Sequence, residues 1–120
     1  MNSLKIGTNG ERAACRYLKE SGYKIIKRNY RKKYGEIDII AKRGDVLSFV
    51  EVKTRESKDY GLACEAVNKS KQEKIIKTAQ TYILENDVDM DYSIDIIEVY
   101  HKAGKIEKIE HLENAIYLWR

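Results

Sequence analysis

At 120 residues the chain is long enough for one domain with a real hydrophobic core, expected to span 1–120. An apolar fraction of 42% argues against disorder, while 35% charged residues and a mean hydropathy of −0.60 argue against a membrane protein, as no apolar run nears the roughly 20 residues that cross a bilayer. The net charge of +4 and pI near 9.0 favour a polyanionic partner only weakly, because many basic proteins bind no nucleic acid.

Met1 to Ile6 lacks a signal-peptide core, so a cytoplasmic protein without membrane partners is expected. Cys15 and Cys64 lie far apart in no CxxC or metal-ligand pattern and read as two reduced thiols. No internal repeat, low-complexity tract or Pro/Ser-rich linker divides the chain.

In chain order, residues 4–21 predict a helix with Ala13, Ala14, Tyr17 and Leu18 at helical spacing, stopped near Gly22. Tyr23 to Tyr30 reads as a strand, followed by a basic turn over Arg31 to Tyr34. Glu36 to Lys42 and Val46 to Lys53 alternate with period two around "RGD", predicting a hairpin. Residues 56–67 predict a loop with a short helical piece. Ser70 and Glu73 have capping-box spacing, and Ile75, Ile76, Ala79, Tyr82 and Ile83 mark one helix face to about Glu85. Ser93 to His101 and Ile106 to Leu112 predict two more strands around the turn "KAGK". The order α-β-β-β-α-β-β predicts an α/β fold with a mixed sheet flanked by helices.

The hairpin fixes a register. A loop centred on Gly44-Asp45 sets Ile37 against Val52, Ile39 against Val50 and Ala41 against Ser48 on one face. The other face pairs Ile40 with Phe49, Asp38 with Glu51 and Glu36 with Lys53. Like charges directly opposite each other, with Cβ atoms about 4.5–5.5 Å apart, are destabilising. Asp38 and Glu51 must therefore share a proton, splay into solvent or bind a cation, and hard divalent Mg²⁺ or Mn²⁺ suits oxygen donors. Lys53 follows Glu51 on the same face, near enough to orient a water or a phosphate oxygen.

On the first helix, Glu11 shares a stripe with Gly7, Ala14 and Leu18 and could complete a metal site if that helix packs on the charged face. Spacing alone leaves the other reading open, a solvent-facing hairpin face with mixed charges and a half-exposed helix glutamate.

The stretches "GTNGERAACRYL", "NYRKKYGEIDII", "FVEVKTR", "KQEKIIKTAQTYI" and "IEHLENAI" resemble the YraN-like family of small bacterial proteins, over nearly the whole chain. That family is related to Holliday-junction resolvases within the PD-(D/E)XK nuclease superfamily. The resemblance implies a restriction-endonuclease-like fold, with Asp38 and Glu51 as metal ligands, Lys53 positioning the attacking water, and Glu11 as the helix-one glutamate of resolvase-like members. Glu36 belongs to the family's GEID signature and reads as a partner for Lys53 or a secondary ligand. The chain departs from the family at Ser93-Ile94-Asp95, where an Arg-Phe-Asp run is usual. The implied activity is a metal-dependent endonuclease acting on DNA rather than RNA, with branched or otherwise distorted DNA among the implied substrates. A homodimer is among the implied partners, since two cuts need two sites.

A non-catalytic nucleic-acid-binding module of a DNA-processing complex is the alternative. Lys24, Lys27, Arg28, Arg31, Lys32 and Lys33, interleaved with Tyr23, Tyr30 and Tyr34, could contact phosphates and stack on bases, with Arg55 as a further basic contact. The plain counter-reading is a solvated edge strand whose lysines discourage aggregation. His101 and His111 read as surface or core-edge residues, neither cysteine has a neighbouring His in sequence, and "GTNGE" is no P-loop. Trp119 reads as a cover for an apolar patch or a partner anchor.

Overall fold

The computed structural model describes residues 3–59 and 68–116. Helix α1 (Ser3–Glu20) precedes strands β1 (Lys24–Lys32), β2 (Gly35–Arg43) and β3 (Val46–Glu56). A 3-10 turn at Ser57–Asp59, helix α2 (Lys69–Glu85), β4 (Asp91–Lys102) and β5 (Lys105–Leu112) follow. The expected α-β-β-β-α-β-β order is therefore the observed one. Cys64, Trp119 and most of the expected 56–67 loop lie outside the described residues, and Cys15 is a buried free thiol.

The strands lie side by side in sequence order, antiparallel except for β3 and β4. The parallel pair requires a crossover, and α2 falls in it. Apolar side chains alternate to both faces. Ala14, Cys15 and Leu18 of α1 pack with Ile39, Ala41, Val50, Ile97 and Val99 on one side. Ile75 and Ala79 of α2 pack with Tyr30, Ile40, Phe49 and Ile94 on the other. Burying each of these large side chains contributes about 1.5–3 kcal/mol.

Local chemistry sets the element ends. Helix α1 stops where Tyr23 N donates to Leu18 O at 2.9 Å and Gly22 N to Lys19 O at 3.1 Å. This double bond requires a left-handed residue at its apex, supplied by Gly22 at φ 91°. Helix α2 begins two residues before the expected Ser70. Asn68 is the N-cap, accepting from Lys71 N at 2.9 Å, so Ser70 and Glu73 form no capping box. Two glycines permit close approach. A Cβ at Gly10 would collide with Thr54 Oγ1 on β3, and one at Gly35 would lie 2.5 Å from Thr78 Oγ1 and 3.1 Å from the Lys74 carbonyl on α2.

Candidate metal centre

The β2–β3 hairpin has the expected register, with Ile39 facing Val50, Ile40 facing Phe49 and Ala41 facing Ser48. The ladder ends at Ile39–Val50. Beyond it β2 stays paired with β1 down to Gly35, and β3 stays paired with β4 up to Glu56. The sheet thus forks, and Asp38 stands at the fork. Val52 N, which would face Ile37 in a continued ladder, instead donates to Asp38 Oδ2 at 2.8 Å. Alternation also breaks here: Ile37 packs under α2 and Ile39 under α1, although they are two residues apart. Asn29, between the partners of those two residues on β1, has φ 53°, a conformation Asn tolerates better than most side chains.

Glu51 meets Asp38 across the fork, and the two carboxyl groups are hydrogen-bonded. Burial, then the hydrogen bond and charge of Glu51, push the Asp38 carboxyl well above the ordinary carboxylate range, against the opposing Val52 N–H. The Asp38 carboxyl thus holds its proton more tightly than a free one does. Glu11 reaches the same place from α1: its charge acts on Asp38, and its Oε1 is buried without a hydrogen-bond partner among the described residues. A buried, unpartnered carboxylate oxygen is costly. A hard divalent cation would offset the facing carboxylate charges and give that oxygen a partner. The all-oxygen donor set fits Mg²⁺ or Mn²⁺. Glu51 is only 12% exposed, and its Oε2 lies 3.5 Å from Lys71 Nζ in the first turn of α2. Glu51, Glu36, Asn68, Lys71 and Lys74 line a cleft of about 440 Å³ beside the fork.

Lys53 is half-buried and follows Glu51 on β3. Its β4 neighbour in register is Glu98, but that carboxylate accepts from Arg55 Nε at 2.7 Å and Tyr100 OH at 3.3 Å. Arg55 neutralises Glu98 and leaves the Lys53 ammonium without an ion pair among the described residues. With its side chain 19% exposed, Arg55 is a structural cation before it is a DNA contact. Glu36 is not opposite Lys53, because the strands have parted; it pairs with Arg31 of β1.

The other expected basic contacts divide in the same way. Lys32 Nζ donates to Glu85 Oε2 at 2.7 Å, whereas Lys24, Lys27, Arg28 and Lys33 are exposed without ion pairs among the described residues. The tyrosines are structural. Tyr23 and Tyr30 are buried, Tyr30 OH donates to Glu85 Oε1 at 2.6 Å, and Tyr34 is hydrogen-bonded to Thr81. Base stacking by Tyr23 and Tyr30 would require unpacking the core.

One His/carboxylate trio among the described residues has ligand atoms all within 4.8 Å of one another and could hold a metal: Asp95, His111 and Glu113. Its atoms are already occupied. Asp95 Oδ1 accepts from Asn114 N at 2.9 Å and Oδ2 from His111 Nε2 at 2.7 Å. With its proton on Nε2, His111 accepts from Tyr17 OH through Nδ1 at 3.1 Å. Glu113 is largely exposed and pairs with Arg43 at 3.5 Å. The trio straps β4, β5 and α1 together. The sequence reads His111 only as a surface or core-edge residue, since its partners lie 16 and 94 positions away.

Fold and centre together define an α/β protein whose mixed five-stranded sheet splits around paired carboxylates. The chain belongs to the uncharacterised protein family UPF0102, the YraN family, whose model matches residues 10–99. It is 46% identical over 114 residues to a UPF0102 protein of Alkaliphilus metalliredigens, covering 94% of this chain and 98% of the relative. It is 48% identical over 114 residues to one from Alkaliphilus oremlandii, covering 92% and 97%. A relative from Caldanaerobacter subterraneus subsp. tengcongensis is 45% identical over 118 residues, covering 96% and 97%. No helix of the described residues is long and apolar enough to cross a membrane.

Proposed function

We propose that the protein is a cytoplasmic, metal-dependent endonuclease that hydrolyses phosphodiester bonds in DNA, with branched or distorted DNA as the expected form. The observation that carries this reading is the fork, where the carboxyl groups of Asp38 and Glu51 meet and Glu11 brings a buried, unpartnered oxygen to the same place. The resemblance to resolvase-related nucleases assigns the same residues.

Asp38, Glu51 and Glu11 would hold the cation, which when bound supplies Lewis-acid polarisation of the phosphodiester and offsets the charge that develops on it. The protein's own groups do the rest. Val52 N–H fixes one Asp38 oxygen, so the carboxylate is oriented before anything binds. Lys53, whose charge Glu98 does not claim, orients the attacking water and donates to a phosphate oxygen. Water attacks phosphorus, the bond to the 3′-oxygen breaks, and that oxygen takes up a proton, leaving a 5′-phosphate and a 3′-hydroxyl. Paired cuts in a branched substrate would call for two copies of the chain.

The test is Mg²⁺ and Mn²⁺ calorimetry on the parent and on Asp38→Asn, then cleavage of branched and linear DNA. Site-specific binding lost in Asp38→Asn is expected. Glu51→Ala and Lys53→Ala should each cut at least about 100-fold more slowly while remaining folded. Cleavage at the parent's rate by both variants would overturn the assignment. Salt-dependent DNA binding with no metal requirement would favour the binding module instead.

A further inference from the structure

Among the described residues, six lysines and arginines are held by carboxylates: Arg31 by Glu36, Lys32 by Glu85, Arg43 by Glu113, Arg55 by Glu98, Lys58 by Glu56 and Lys71 by Glu51. A different set converges without such partners. Arg12, Arg16 and Lys19 occupy positions i, i+4 and i+7 of α1, and Arg28 of β1 faces them. Together with Cys15 and Glu20 they line a cleft of about 430 Å³. All four cations are exposed, and none has an ion pair among the described residues. Their charge reaches the cleft floor, where Arg28 and Lys19 act on the buried Cys15 thiol.

Four like charges around one concavity repel one another, and Glu20 is the single acid in the lining. An anion with several charges relieves that repulsion. We propose that the Arg12–Arg16–Lys19–Arg28 cleft binds the phosphate backbone of DNA, holding the strand beside the segment that is cut. The proposal rests on the nuclease reading for its choice of polyanion. Position favours that choice, because Arg12 directly follows Glu11, which reaches the metal centre. From Arg12 to Lys19 the helix rises about 10.5 Å, the axial length of about three nucleotides of one strand. An anionic lipid surface fits less well. Interfacial helices insert bulky apolar side chains, and here the stripe between the cations offers only the small, buried Cys15.

The experiment is fluorescence anisotropy with a labelled DNA duplex, in EDTA so that cleavage does not intervene, across a salt titration. The parent is compared with Arg12→Gln/Arg16→Gln and with Lys102→Gln/Lys105→Gln, which removes the same net charge at the β4–β5 hairpin tip. Removing two phosphate contacts should lower the slope of log K against log salt by about 2, with affinity at least about tenfold weaker at low salt. The hairpin variant should match the parent. Parent-like binding by the cleft variant overturns the proposal, and so does an equal loss in both variants or a parent that sediments with phosphatidylserine vesicles and ignores DNA. The nuclease reading is scored separately. DNA binding lost in the cleft variant, with Mg²⁺ binding intact and no cleavage by the parent, supports the cleft and removes the enzyme.

Discussion

Asp38 has two jobs that conflict in the metal-free protein. One oxygen holds Val52 N–H and closes the end of the β2–β3 ladder, while the other side of the carboxyl meets Glu51. Asn in its place can still accept from Val52 N and can donate from its amide nitrogen to Glu51, with no shared proton required. Asp38→Asn should therefore stabilise the protein in EDTA by about 1 kcal/mol, the range of a relieved like-charge cross-strand pair, raising Tm by about 3–5 °C. On the proposed metal reading, Mg²⁺ should stabilise the parent further, and the same substitution should remove that gain. Paired melting curves with and without Mg²⁺ check both, and an Asp38→Asn protein less stable than the parent in EDTA would mean that the carboxylates do not repel. At this scale the sequence was partly readable. A two-residue turn and a period of two fix the ladder from Arg43–Val46 to Ile39–Val50. Asp38 and Glu51 lie beyond it, where alternation breaks, and they meet across the fork rather than in the expected register. Helical spacing put Glu11 on one stripe with Ala14 and Leu18, both buried, but the α1 face packs on Ile39, Ala41 and Val50 rather than on the expected charged face. Nothing local revealed that Arg55 belongs to Glu98 and Lys32 to Glu85, whose acceptors lie 43 and 53 positions away.

Elements obey the same distinction between local and distant causes. Every strand and helix expected in the described residues is present, because each carries its own periodicity, and the errors are at the ends. Strand β1 runs on to Lys32, through residues expected as a turn, because pairing with Gly35 is decided by β2. The N-cap of α2 is Asn68 instead of Ser70, two good capping residues between which short-range spacing could not choose. The "KAGK" turn was read correctly, yet one residue in it fits poorly. Ala103 has φ 50° and Gly104 φ 79°, the pattern of a type I′ hairpin turn that favours Asn-Gly. An alanine in the left-handed region costs about 1–2 kcal/mol. Ala103→Asn should recover about 1 kcal/mol, seen as a higher urea midpoint with an unchanged m-value. An unchanged midpoint would show that the turn relaxes in solution to a conformation that alanine adopts freely.

At the scale of the whole molecule, the buried Asp95 joins parts of the fold that no single element holds. It receives His111 of β5 and Asn114 N beyond it, while His111 in turn receives Tyr17 of α1. Ser93 of its own strand adds a hydrogen bond, Tyr23 lies within reach of its charge, and Glu113, with Arg43 beside it, stands next to His111. Burial alone would push the Asp95 carboxyl up, but the hydrogen bonds from His111, Asn114 and Ser93 outweigh it and hold it below its ordinary value of 3.8. A carboxylate lowered on folding contributes stability that is present above the unfolded value and lost as pH falls through the folded one. The acid limb from this group therefore lies below about pH 4. Asp38 has the opposite sign. Its carboxyl is raised on folding, so in EDTA it withdraws stability as pH climbs above the ordinary value of 3.8. The metal-free protein should be most stable in mild acid, between the two limbs. Urea denaturation across pH in EDTA measures this directly. Asp95→Asn should weaken the fold at neutral pH by about 2–3 kcal/mol, as expected for lost hydrogen bonds to a charged, buried acceptor, and should flatten the limb below pH 4. Asp38→Asn should flatten only the limb above it. If Asp95→Asn left the acid limb intact, the strap would not be what joins β5 and α1 to the sheet, and acid lability would belong to carboxylates elsewhere.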